Sequence, residues 1–94
     1  MRRLVWAASF RRAFRRVTRR SPSAEDKIFQ ALQRLVDDPS DPVLKTHKLS
    51  GRLIGLWACW VEYDCRIVFA FKRDPVSHEQ LILLVDLGTH DEVY

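Results

Sequence analysis

Side chains able to move protons or hold a phosphate gather in three stretches of this sequence: Lys45, His47 and Lys48, then Asp64 and Arg66, then His90 and Tyr94. Histidine gives and takes protons near neutral pH, and lysine and arginine stabilise charge developing on a phosphoryl group. Together they suit cleavage of RNA without a metal. The 2′-hydroxyl would lose its proton and attack its own phosphate, the 5′-oxygen would leave on protonation, and the cations would hold the phosphorane. Taken singly, either histidine reads better as a satisfied loop side chain, so the case rests on their convergence.

Other chemistries find no support. There is no glycine-rich phosphate loop, CxxC pair, HExxH or GxSxG, which removes nucleotide hydrolases, zinc ribbons, zincins and α/β hydrolases. His47, His90 and Asp64 are irregularly spaced and no close acidic pair marks a magnesium site, so neither a metal nor another cofactor is expected. Cys59 and Cys65 flank a turn and could approach one another, but within apolar strands of a reduced compartment they read as small hydrophobic filling.

Charge is more informative than composition. The 94 residues carry a net +4. Residues 1–20 hold eight arginines and no acid, which leaves −4 for the rest. One end is therefore expected to meet a polyanion or an acidic partner. At 47% hydrophobic and 30% charged, the chain can bury one core and is expected to fold as a single domain over residues 1–94. No apolar run reaches the roughly 18 residues that span a bilayer, and Arg11 and Arg12 interrupt any signal-peptide core, so a cytoplasmic protein with no membrane partner is expected.

The elements that must position these residues are legible in the hydrophobic pattern. Gly51 to Phe71 is the longest apolar tract, broken at Asp64, and predicts a hairpin in the middle of a sheet. In steps of two, Trp57, Cys59, Val61 and Tyr63 share one face of its first strand, and Ala58, Trp60 and Glu62 the other. In the second strand Ile67, Phe69 and Phe71 alternate with Arg66, Val68 and Ala70, so if the first three meet the helices, Arg66 faces the open side. Leu4–Ala7 predicts a first strand. Phe10, Ala13, Phe14 and Val17 then give a helical face over Phe10–Arg19, capped by Ser9. A second helix starts at Ser21–Ser23, with a capping box of Ser23 and Asp26, and ends near Asp37. Pro39–Ser50 predicts a loop with a short strand at Val43–Leu44. Leu81–Leu87 predicts an interior strand buried on both faces. The core is expected to join Phe10, Phe14, Val17, Ile28, Leu32 and Leu35 to Ile67, Phe69, Leu83 and Val85. His78 reads as surface. Trp6, Trp57 and Trp60 read as core or rim, with Trp60 also placed to stack a base.

The segments LKTHKLSGRLIGLWACWVEYDCRIVFAF and LILLVDLGTHDEVY, with their H-x-L-x-G, W-x-x-x-x-E-x-D-x-R and G-T-H-x-x-x-Y patterns, resemble the RelE/YafQ toxins of bacterial type II toxin–antitoxin systems, and most closely the YafQ branch. The resemblance covers residues 42–94. It implies an α+β fold with a curved, mainly antiparallel sheet and a helical hairpin on one face. It also implies ribosome-dependent cleavage of mRNA by an mRNA interferase, and neutralisation by a cognate antitoxin in a hetero-oligomer, the free toxin being monomeric. The family's catalytic positions match His47, Asp64, His90 and Tyr94, and Arg66 stands where RelE members place a phosphate-contacting arginine. Trp60 replaces a third histidine, Cys65 a tryptophan, and Asp86 an arginine.

On this reading His90 is the general acid, Asp64 or His47 the base or its orienter, and Arg66 with Lys45 or Lys48 the phosphorane stabiliser. Arg52 and Trp60 complete the substrate contacts, Tyr94 closes the pocket, and Arg12, Arg15, Arg16 and Arg19 hold the chain against ribosomal RNA. Two other readings are a ParE-like toxin that binds DNA gyrase without cutting RNA, and a chain whose relevant state is only the repressor complex with its antitoxin.

Overall fold

The computed structural model describes residues 2–89 and Val93. Five strands form one open sheet in the order β1-β5-β4-β3-β2: β1 Arg3–Trp6, β2 His47–Lys48, β3 Trp57–Glu62, β4 Cys65–Arg73 and β5 Gln80–Gly88. The β3–β4 hairpin makes β4 the central strand, as the apolar tract predicts. The sheet is mixed, because β1 runs parallel to β5 while the other pairings are antiparallel.

Two helices cover one face, α1 Ala8–Arg20 and α2 Ala24–Asp37. Helix α1 lies over β5, and α2 over β3. Phe10 and Ala13 of α1, and Ile28, Leu32 and Leu35 of α2, meet Cys59, Ile67, Phe69, Ile82, Leu84 and Leu87 in one core, with Phe14 and Val17 packed at its border. Trp6 stands edge-on to Phe10 and Phe14 at 4.8 and 5.2 Å between ring centres, closing the core under β1.

The expected core is right on β4 and wrong on β5. Ile82 and Leu84 point to the helices, whereas Leu83 and Val85 are half-exposed. The register explains the difference. Phe69 pairs with Leu84 but Val68 with Asp86, so Val85 is an extra residue bulging from the ladder. Beyond it the alternation changes phase and Leu87 returns to the core. Counting in twos from Leu87 therefore selects the wrong face. Nor is β5 buried on both sides, because the helices cover one face of the sheet and Leu81, Leu83 and Val85 lie half-exposed on the other.

Smaller corrections have equally local causes. Residue Ala7, not Ser9, precedes α1, and the Ser9 hydroxyl instead donates to the Val85 carbonyl. The Ser23–Asp26 capping box is absent, because Ser23 is itself in a helical conformation and the amides of Ala24 and Glu25 already donate to the carbonyls of Ser21 and Pro22. Residues Pro42–Leu44 form a single 3-10 turn, which proline favours at its first position, and the short strand follows at His47–Lys48. Cys59 and Cys65 are both buried and not joined in a disulfide. No helix among the described residues is long and apolar enough to cross a membrane.

Candidate active site at the hairpin end of the open face

The loop before β2 is irregular but held at several points. Leu44 is fully buried in the core. Asp41 accepts a hydrogen bond from the Val43 amide at 2.9 Å and pairs with Arg34 of α2 at 3.2 Å. The Thr46 hydroxyl donates to the Pro39 carbonyl at 2.6 Å. Asp38 accepts from the hydroxyl and amide of Ser40, which lowers its pKa below the ordinary value. Between these anchors Lys45 adopts a left-handed conformation, φ 50°, uncommon for a residue with a Cβ.

That conformation has a direct consequence for His47, whose Nδ1 lies 3.0 Å from the Lys45 carbonyl. A carbonyl can only accept, so Nδ1 carries the proton and the lone pair of the neutral ring resides on Nε2. His47 pairs across to Ala58 of β3, which brings the imidazole beside the next residue pair, Trp60 and Arg66.

Arg66 occupies the middle of a cross-strand row, between Trp60 on β3 and Gly88 on β5. Its Nη1 donates to the carbonyls of Glu62 at 3.1 Å, Tyr63 at 3.2 Å and Cys65 at 3.4 Å. The hairpin turn thus grips one nitrogen and fixes the guanidinium plane, while Nε and Nη2 carry the other three donors.

Lys45, His47, Trp60, Tyr63 and Arg66 together line a depression of about 420 Å³. The Lys45 ammonium lies 5.2 Å from the centre of the Trp60 ring, within cation–π range. Among the described residues the lining holds two fixed positive charges and no carboxylate. The nearby acid Glu62 is turned to the helix side, where it pairs with Lys27 at 2.9 Å.

Strict alternation along β3 groups Tyr63 with Trp57, Cys59 and Val61, and Glu62 with Trp60; the structure reverses both. Trp60 pairs with Arg66 but Glu62 with Cys65, so Val61 is squeezed out of the ladder. The bulge sends Glu62 to the helices and Tyr63 to the depression. Tyr63 is the member of the site that sequence reasoning leaves out, and the available signal was an aromatic ring in a two-residue turn.

The remaining candidates are dispersed. Asp64 lines a different depression, with Arg20, Glu62, Gly88 and Thr89, on the helix side of the hairpin turn. Lys48 stands 5.4 Å from the Trp57 ring centre, and Arg52 is exposed on a 3-10 turn at Gly51–Leu53. Arg12, Arg15, Arg16 and Arg19 are all exposed on α1, and Arg16 in addition donates to the Leu87 carbonyl at 3.0 Å and so ties the helix to β5. His90 and Tyr94 lie outside the described residues. No group of three or more His, Cys, Asp or Glu among the described residues is placed to hold a metal ion.

Several solved structures share this fold. YafQ from E. coli strain BL21(DE3) matches with a TM-score of 0.76 at 17% identity, over 100% of this chain and 99% of that one. YafQ in the E. coli DinJ-YafQ complex matches at 0.75 and 17%, over 100% and 99%. A YoeB/ParE toxin from Agrobacterium tumefaciens matches at 0.75 and 20%, over 94% and 98%. No curated protein sequence matches. The model of the YafQ family of bacterial toxins of type II toxin–antitoxin systems matches residues 2–94, and with that match spanning nearly the whole chain, this protein belongs to that family of toxins.

Proposed function

We propose that this toxin is an endoribonuclease that cleaves mRNA on the ribosome and is neutralised by a cognate antitoxin. The observation that carries the reading is the cationic depression that gathers His47, Lys45, Arg66 and Trp60 around one opening. With Nδ1 committed to the Lys45 carbonyl, Nε2 of His47 takes the proton from a ribose 2′-hydroxyl. The 2′-oxygen then attacks the adjacent phosphorus, and the bond to the 5′-oxygen breaks. Arg66 and Lys45 stabilise the charge that accumulates on the non-bridging oxygens, and Trp60 supports a base. The leaving 5′-oxygen takes its proton from His90. The products are a 2′,3′-cyclic phosphate and a 5′-hydroxyl, and side chains alone carry both proton transfers.

Of the two candidate bases, the geometry favours His47, because Asp64 opens onto the other side of the turn. Lys48 and Arg52 extend the positive charge along the approach, and the exposed arginines of α1 bind ribosomal RNA. Such a toxin acts in the cytoplasm. The free protein is a monomer, and its antitoxin partner is proposed by analogy with YafQ, seen bound to DinJ.

Primer extension on mRNA translated in a purified system tests the proposal. Discrete cuts bearing 2′,3′-cyclic ends are expected. They should be suppressed by the antitoxin and reduced about 10²–10⁴-fold in His47→Gln and His90→Ala. Intact mRNA together with inhibited DNA gyrase would instead make this chain a non-nucleolytic, ParE-like toxin.

A further inference from the structure

We propose that Tyr63 is a base-stacking residue, and that it and Trp60 form two aromatic platforms around Arg66 which hold apart the bases flanking the scissile phosphate of a single-stranded RNA. The inference rests on the ribonuclease reading above and names how its site takes the substrate. Tyr63 is 90% exposed, so its ring contributes little to the core. Its backbone is not in the left-handed region, so the turn does not demand this residue type. An apolar ring standing in water at a turn, where small polar residues are the rule, is explained by contact with a ligand better than by the fold. Its backbone is nonetheless tied to Arg66, because the Tyr63 carbonyl accepts from Arg66 Nη1, and the residue lines the same depression as His47 and Trp60.

The reaction supplies the reason for two platforms. In-line displacement requires the 2′-oxygen, the phosphorus and the 5′-oxygen to lie nearly in one line, and a stacked A-form strand does not offer that arrangement. Aromatic side chains take up unstacked bases of single-stranded RNA. A base on Tyr63 and its neighbour on Trp60 would oblige the backbone between them to turn at Arg66, which is where the 2′-oxygen must be aligned. The Lys45 ammonium over Trp60 then lies beside the same phosphate.

The test uses ribosomes programmed with mRNA that carries a 2′-deoxy nucleotide at the cleavage position and 2-aminopurine on one side of it or the other. Wild-type toxin should quench both labels. Tyr63→Leu, which keeps the bulk but not the ring, should leave one label unquenched. It should also cut all-ribose mRNA about 5- to 150-fold more slowly, the range commanded by one base stack, with an unchanged urea midpoint. Tyr63→Phe should restore quenching and rate. Wild-type quenching and cleavage by Tyr63→Leu would overturn the inference and leave the ribonuclease reading standing. If the wild-type toxin neither quenches nor cuts, that reading falls, and this one with it.

Discussion

Trp60 and Arg66 are direct cross-strand partners, one step before Val61 is pushed out of the ladder between β3 and β4. The bulge brings the turn carbonyls to Nη1 of Arg66, which leaves the donors of Nε and Nη2 outside that grip. A lysine, with a single nitrogen, cannot both satisfy the turn and present a second set of donors. Arg66→Lys should therefore cut mRNA about 10²–10³-fold more slowly than wild type on programmed ribosomes. A rate within threefold of wild type would mean that position 66 supplies charge alone.

The phase change at Val85 predicts opposite outcomes for neighbouring leucines. Leu84 is fully buried against the helices and Leu83 lies half-exposed on the other face. Leu84→Ala should cost about 2–5 kcal/mol in a urea melt, as should Phe69→Ala at about 3–5, while Leu83→Ala should cost about 1 kcal/mol. Equal losses at 83 and 84 would show that the bulge is misplaced.

The arginines of α1 should separate into two kinds. Charge reversal at Arg12, Arg15 and Arg19 is expected to weaken ribosome binding and to flatten its salt dependence by about 0.7–0.9 in the logarithmic slope for each phosphate that is no longer neutralised. Stability should be untouched. Arg16→Glu should also lower the urea midpoint, because it removes the bond to the Leu87 carbonyl. An unaltered salt slope in the triple variant would leave this helix face to the antitoxin.

Burial raises the Cys59 thiol from its ordinary value of 9.0 to about 12, with Cys65 adding to the effect. A raised folded-state value means that the neutral thiol favours the fold. Stability from this source is complete below pH 9.0 and is lost as pH rises toward about 12. Cys59 in the native protein should resist a thiol reagent at pH 8 and react only at the rate of unfolding. Fast labelling of the folded chain would contradict the burial.

Most of the fold is written in simple periodicities. The 3.6-residue spacing of Phe10, Ala13, Phe14 and Val17 and the two-residue spacing of Ile67, Phe69 and Phe71 lead to the observed core without correction. What escapes them is the inserted residue. Val61 and Val85 are ordinary strand residues by type, and nothing in their identity announces that the ladder skips them. Yet each skip changes which side chains face the site, and Tyr63 is hidden from a strict alternation for that reason. The His47 tautomer was equally out of reach, since it depends on the backbone conformation of Lys45. Asp64 shows the converse case. Its adjacency to Arg66 in sequence suggests one site, and the sharp turn puts the two on opposite sides of the hairpin.

The parallel pairing of β1 with β5 joins Arg3 to Leu81, a separation of 78 residues. Closing a loop of that length costs about 4 kcal/mol of chain entropy before any contact rewards it. While the chain is being made, Arg3–Trp6 therefore has no sheet partner until Gln80–Gly88 has left the ribosome, and Phe10 lacks the floor on which it packs. The sheet therefore cannot close before Gln80–Gly88 has been made, so this toxin is without its finished sheet and core for as long as that segment is still being synthesised.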